Sequence, residues 1–196
     1  YLSLTEKMDI LIKSRFVEMF ASTPKNQILG EIASISTGSD LTSKDIANVQ
    51  DKISKYPVFG AHGLRGYSCR FNYSGPHIIV GRVGAQAGNV DFYDGFFYGT
   101  EHALTLQVVN QTILPKWLFF ELKNDDLFRL SKGIAQPVIS SSSLQRLPVR
   151  SPTKIKQQEF ISFTENIDKL KFNLQEAIEK IEKMSDKILN QALIQQ

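Results

Sequence analysis

Only one cysteine, Cys69, occurs among the 196 residues, so no disulfide can form within the chain and a reducing, cytoplasmic setting is expected. No apolar run approaches the roughly 18 residues that a membrane-spanning helix requires. No basic-then-apolar leader opens the chain, which argues against export. The first residue is Tyr1 rather than Met, and an upstream piece is expected to have been removed. Neither glycine nor proline occurs from 153 to the end, so nothing there interrupts a helix.

Catalytic and cofactor signatures are equally scarce. Gly81, Gly84 and Gly88 in IIVGRVGAQAGNV are spaced neither as GxGxxG nor as GxxxxGK[ST], and no Lys-Ser/Thr follows, so a phosphate cradle is not the reading. These glycines mark turns and close backbone approach in a sheet. His62, His77 and His102 together with Cys69 lack the CxxC or HxxxH spacing of a metal site. Cys69 stands beside Arg70, which could lower a thiol pKa, but a lone cysteine is usually structural or incidental. Glu121-Leu122-Lys123 matches half of a nuclease signature without the preceding Pro-Asp. A methyl-transfer site would need an Asn/Asp-Pro-Pro-aromatic loop, and none is present. Catalytic residues, metals and cofactors are therefore expected to be none.

A hydrophobic content of 42% with 22% charged residues suits a chain with a sizeable buried core. Net charge is only +3, but it is unevenly spread. Residues 51–86 carry Lys52, Lys55, Arg65, Arg70 and Arg82 against one acid, Asp51, whereas 87–131 carry six acids against three bases. The basic stretch is interleaved with Tyr56, Tyr67 and Tyr73. It reads either as a nucleic-acid face or as a solvated loop region.

Three parts are legible along the chain. Residues 1–23 form an N-terminal helix, with Leu4, Met8, Leu11, Ile12, Phe16, Met19 and Phe20 at helical spacing up to Ser22-Thr23-Pro24. Residues 24–150 hold all 12 glycines and the β-like runs ILGEIASIS, IIVGRV, HALTLQVV and LPVR. One helix is expected over 115–131, led by Pro115, and a shorter one from Thr42 or Ser43. Ser140 to Ser143 could cap a short helix or contact phosphates. This part reads as an α+β domain with a strongly twisted sheet.

Residues 151–196 form a long C-terminal helix of coiled-coil type. Phe160, Ile167, Leu174, Ile181 and Ile188 occupy one heptad position, and Phe163, Leu170, Ala177, Met184 and Gln191 the other. At about 1.5 Å per residue this helix is roughly 60 Å long. Most of its stripe must pack on another helix, first on residues 1–20 and then on another chain.

The succession YPVFGAHGLRGYS, GPHIIVGRVGAQAGNV, FFYGTEHALTL, KGIAQPVISSSSLQRLPV and SPTKIKQQEFISFTENID resembles the target-recognition domain, and its join to a long helix, in the DNA-specificity subunits of type I restriction-modification enzymes. KSRFVEMF, from Lys13 to Phe20, is similar to the end of that family's central helical region. The resemblance spans essentially the whole chain. It implies a non-catalytic subunit in which two recognition domains each read half of a bipartite DNA target. It also implies paired helices that act as a ruler and as a platform for methyltransferase (modification) subunits, with restriction subunits joining them. Here only one recognition domain is present, as in a C-terminal half or a short half-subunit, and a homodimer would restore two.

Under that resemblance the expected DNA-binding residues are Arg65, Tyr67, Arg70, Arg82, Gln86, Asn89, Lys132 and Gln136, since Arg suits guanine and Gln or Asn suits adenine. Blocks shared with the family would be scaffold, which moves base readers toward 37–55 or 68–73. The dimer contact is expected at Phe160, Phe163, Ile167, Leu170, Leu174, Ile181, Met184 and Ile188. The competing class is a coiled-coil scaffold whose globular head binds protein and no DNA.

Overall fold

The computed structural model describes residues 3–194, with side chains of the last helix as far as Ser185. Residues group into two units, 1–21 with 159–196, and 22–158.

In the first unit, Ser3 starts helix α1 (Leu4–Phe20) through a reciprocal cap. The Ser3 hydroxyl accepts from the Glu6 amide at 3.2 Å, and the Glu6 carboxylate accepts from the Ser3 amide at 2.7 Å. Two donors that the helix leaves unpaired are thereby satisfied. The backbone bond from Ser3 also holds the Glu6 carboxyl below its ordinary range. Helix α5 (Lys154–Ile194) runs for 41 residues. Phe16, Phe20 and Phe160 bring their rings together at 5.1, 5.4 and 5.7 Å. Arg15 reaches Glu159 at 3.1 Å and lies 5.9 Å over the Phe163 ring, while Lys171 pairs with Asp9 at 2.6 Å. Late residues of α1 thus meet early residues of α5, so the two helices run antiparallel.

The second unit holds nine strands in three sheets, so the single expected sheet is divided. The largest has the order β2 (Ala33–Thr37), β8 (Ala103–Val108), β5 (Pro76–Gly81), β6 (Val90–Asp94), all antiparallel. Its two central strands are buried from His77 to Gly81 and from Ala103 to Leu106, which explains why they read as continuous apolar runs. A second sheet places β3 (Tyr56–Gly60) between β4 (Gly63–Ser68) and β7 (Tyr98–Gly99), with a bulge between Val58 and Phe59. The smallest pairs β1 (Gln27–Ile28) with β9 (Pro148–Val149).

Helices correct the sequence reading in two places. ILGEIASIS is not one strand: α2 (Leu29–Ile32) makes a single turn between β1 and β2, burying Leu29 and Ile32. The helix expected over 115–131 is α3 (Pro115–Lys123), followed by a separate 3-10 turn, Leu127–Leu130. The reason is local polar chemistry. Asn124 turns its amide back to the Phe120 carbonyl at 2.8 Å, and Asp125 draws in Lys25 at 2.7 Å and Arg129 at 3.0 Å. The short element expected from Thr42 or Ser43 is a 3-10 turn, Ser43–Asp45.

Trp117, Leu118, Phe120 and Leu122 of α3 are buried, and each such side chain contributes roughly 1.5–3 kcal/mol. Glu121, also buried, accepts from Arg150 Nη1 at 3.2 Å and from the Arg150 amide at 3.1 Å. That carboxylate is a structural anchor, which accounts for the nuclease-like Glu-x-Lys. Gln157, fully buried, accepts from the Leu114 amide at 2.8 Å and donates to the Thr112 and Pro152 carbonyls at 3.0 and 2.8 Å. It fixes the first turn of α5 to the entry of α3.

Candidate nucleic-acid interface

Three turns meet at one end of the globular unit. The first is Ala61-His62, joining β3 to β4. The second is the 82–89 loop between β5 and β6, closed by Ala87 to Gly84, Asn89 to Gln86 and Gly88 to Gly81 backbone bonds of 3.0, 3.0 and 2.8 Å. The third spans 132–138, closed by reciprocal bonds between Lys132 and Val138 at 3.0 and 2.9 Å.

Glycine is what lets them meet. A Cβ on Gly81 would collide with the Ala61 carbonyl, and one on Gly88, at φ +93°, would lie 2.8 Å from the Phe128 amide nitrogen. The first contact seats the β3–β4 turn on the loop, and the second seats the loop on the 3-10 turn behind it. The third turn joins through Gly84 donating to the Pro137 carbonyl at 2.9 Å and Ile139 to the Arg82 carbonyl at 2.8 Å. The stretch IIVGRVGAQAGNV is therefore a strand end and a braced loop.

Six of the eight expected DNA contacts stand on or beside these turns. Arg65 lays its stem across Gly60, where a Cβ would meet Arg65 Cδ at 2.7 Å. Its exposed guanidinium has no ion-pair partner among the described residues. Lys132 and Gln136 are exposed on the third turn. Gln86, exposed, pairs through Oε1 with His62 Nδ1 at 2.8 Å. Asn89 donates to Asp91 Oδ2 at 3.0 Å. Burial pushes the Asp91 carboxyl up, while the Lys123 charge and the Asn89 bond pull it back. Arg82 is half-buried, reaching the Glu101 carbonyl at 3.5 Å and keeping Nε buried without a partner.

Tyr67 and Arg70 lie apart, toward the other end of β4, whose six residues span about 17 Å at ~3.4 Å per step. Tyr67 exchanges backbone bonds with Ala47 at 2.8 Å each way, and Arg70 is paired with Asp45 at 2.6 Å. Beside them Tyr56, Phe71 and Phe96 form an aromatic group with ring distances of 4.9, 6.2 and 4.8 Å. The four-serine run is a cap. Ser140 accepts from the Ser143 amide at 3.0 Å and starts α4 (Ser141–Gln145).

His62, a metal-ligand candidate by residue type alone, stands instead on the first turn beside Gln86, and Ile134 is fully exposed in the third turn. A β-branched apolar residue inside KGIAQP, where turn chemistry permits no core, was the available signal.

The profile of the type I restriction modification DNA specificity domain matches residues 25–183. The chain belongs to that family. It is 34% identical over 138 residues to the type I restriction enzyme EcoprrI specificity subunit of Escherichia coli, covering 70% of this chain and 34% of that protein. The fold is similar to the S subunit of a type I restriction-modification system from M. genitalium, with a TM-score of 0.66 at 21% identity. That match covers 82% of this chain and 43% of that one. An HsdS subunit from Thermoanaerobacter tengcongensis matches with a TM-score of 0.58 at 15% identity, over 88% and 46% of the two chains. The chain therefore spans less than half the length of these relatives. The family is one of specificity domains and not of catalytic ones. No helix among the described residues is long and apolar enough to cross a membrane.

Proposed function

We propose that this chain recognises one half of a bipartite double-stranded DNA target as the specificity part of a type I restriction-modification system in the cytoplasm. Methyltransferase and restriction subunits dock on its helices, and a second copy of the chain covers the exposed stripe of α5. The observation that carries the reading is the meeting of three braced turns. They bring Arg65 and Lys132, which have no ion-pair partner among the described residues, together with the amide-bearing Gln86, Asn89 and Gln136. Cations bind phosphate irrespective of sequence, and amides read base edges.

Two features weaken part of the expected list. Arg70 is neutralised by Asp45, and Arg82 directs its guanidinium to a backbone carbonyl. Both act chiefly as braces, so Arg65 and Lys132 carry the phosphate contacts.

Electrophoretic retention of duplex DNA across a salt series tests this directly. Retention is expected to fall steeply with salt. Arg65→Ala is expected to weaken binding to all sequences and lower the salt slope by about one. A scaffold with a protein-binding head would retain no DNA in a salt-sensitive way. That outcome, in a folded protein, would sink the proposal.

A further inference from the structure

We propose that Ile134 makes an apolar contact with the bases of the bound duplex. The proposal rests on the DNA-recognition reading above and deepens it, by naming a contact that is neither cationic nor hydrogen-bonding. Ile134 is 104% exposed, so its side chain packs on nothing within the chain. Among the described residues of the three turns it is the one large apolar side chain left exposed. Lys132 stands two positions before it and Gln136 two after, both exposed as well.

Solitary exposed apolar residues are common on protein surfaces, but the backbone here holds this one firmly outward. Lys132 and Val138 exchange backbone bonds across the base of the turn at 3.0 and 2.9 Å, and Val83 pairs with Val138 from the neighbouring loop. Gly133 takes φ +97°, a left-handed conformation that other residues rarely adopt, and a Cβ there would lie 2.8 Å from the Gln136 carbonyl oxygen. Ile139, just past the turn, is fully buried and ties it to the core. A β-branched side chain on such a base has few rotamers to lose when it is covered.

An apolar side chain gains nothing from a phosphate and is stabilised by any apolar surface that removes it from water. A protein partner would meet an apolar patch, yet the exposed neighbours of Ile134 in this turn are Lys132, Ala135 and Gln136. Duplex DNA instead carries its charge on the phosphates and its apolar surface on the bases. That surface is the thymine C5-methyl group in the major groove, or the face of a base at an opened step. A cation and an isoleucine on one braced turn match both layers: Lys132 meets phosphate and Ile134 meets bases.

The test compares the full chain with I134A and I134K on a duplex that the full chain selects from a randomised double-stranded pool. Melting temperatures should stay unchanged, since the side chain is wholly exposed. I134A is expected to weaken binding on the order of tenfold with the salt slope unchanged. Unchanged affinity, or a lowered salt slope, would overturn the proposal. So would tighter binding by I134K with a steeper slope, which would place phosphate at this position. Two substituted duplexes identify the surface met. Deoxyuridine in place of one thymine should cost the full chain as much as I134A does, and cost I134A nothing further, if the methyl group is the contact. 2-Aminopurine in place of one adenine should brighten on binding, and not with I134A, if a step is opened. An affinity loss in I134A with neither response at any position would overturn the base contact. A chain that retains no duplex at all would overturn the DNA-recognition reading itself, and this proposal with it.

Discussion

The two halves of α5 follow the same heptad rule and meet opposite fates. Phe160 and Ile167 are 0% and 8% exposed, whereas Ile181 and Met184 are 66% and 64% exposed. The change runs from Leu170, beside the Lys171–Asp9 pair near the start of α1, through the still half-buried Leu174 to Ile181. At roughly 1.5 Å per residue, the 17 residues of α1 cover about 25 Å of a helix about 60 Å long. Periodicity therefore states that a face needs a partner, and the neighbouring helix decides how much of it receives one. Ile188, also on the stripe, lies outside the residues whose side chains are described.

That contrast can be broken from either side. Phe160→Ala removes a ring in contact with Phe16 and Phe20 and should cost about 3–5 kcal/mol, read as a lower denaturation midpoint. A cost near zero would mean that the covered half is no better packed than the uncovered one. Replacing Leu174 and Ile181 with glutamine should leave the globular unit folded and weaken self-association by a factor on the order of 100. Sedimentation measures this, and an unmodified chain that stays monomeric at high micromolar concentration would show that no second copy covers the stripe. Asp9→Asn should change stability by at most about 1 kcal/mol, because an exposed ion pair is screened by water. A larger loss would show that the covered segment is sheltered beyond its apolar contacts.

The candidate interface divides in a similar way. Turn chemistry made the glycine-rich segments legible, and the residue types of Arg65, Gln86, Asn89, Lys132 and Gln136 pointed to a polyanion. Their convergence was not legible, because Gly81 against Ala61 and Gly84 against Pro137 join segments about 20 and 50 residues apart. Nor was the committed state of Arg70, whose partner Asp45 comes from another loop. The early end of α3 was in principle visible in Asn124-Asp125-Asp126, but the apolar LFRL beyond it continued the helical period and masked the stop.

By itself the amino-acid sequence determined a long C-terminal helix, expected over 151–196 and found over Lys154–Ile194, the α+β class of the middle and the family, since these rest on local period, on turn residues and on ordered blocks. Tertiary structure alone decided which half of the stripe is buried, which cations are left unpaired and that His62 meets Gln86. Those outcomes depend on distances between residues far apart in the chain. Only the closed set of packing and hydrogen-bond contacts supplies such distances.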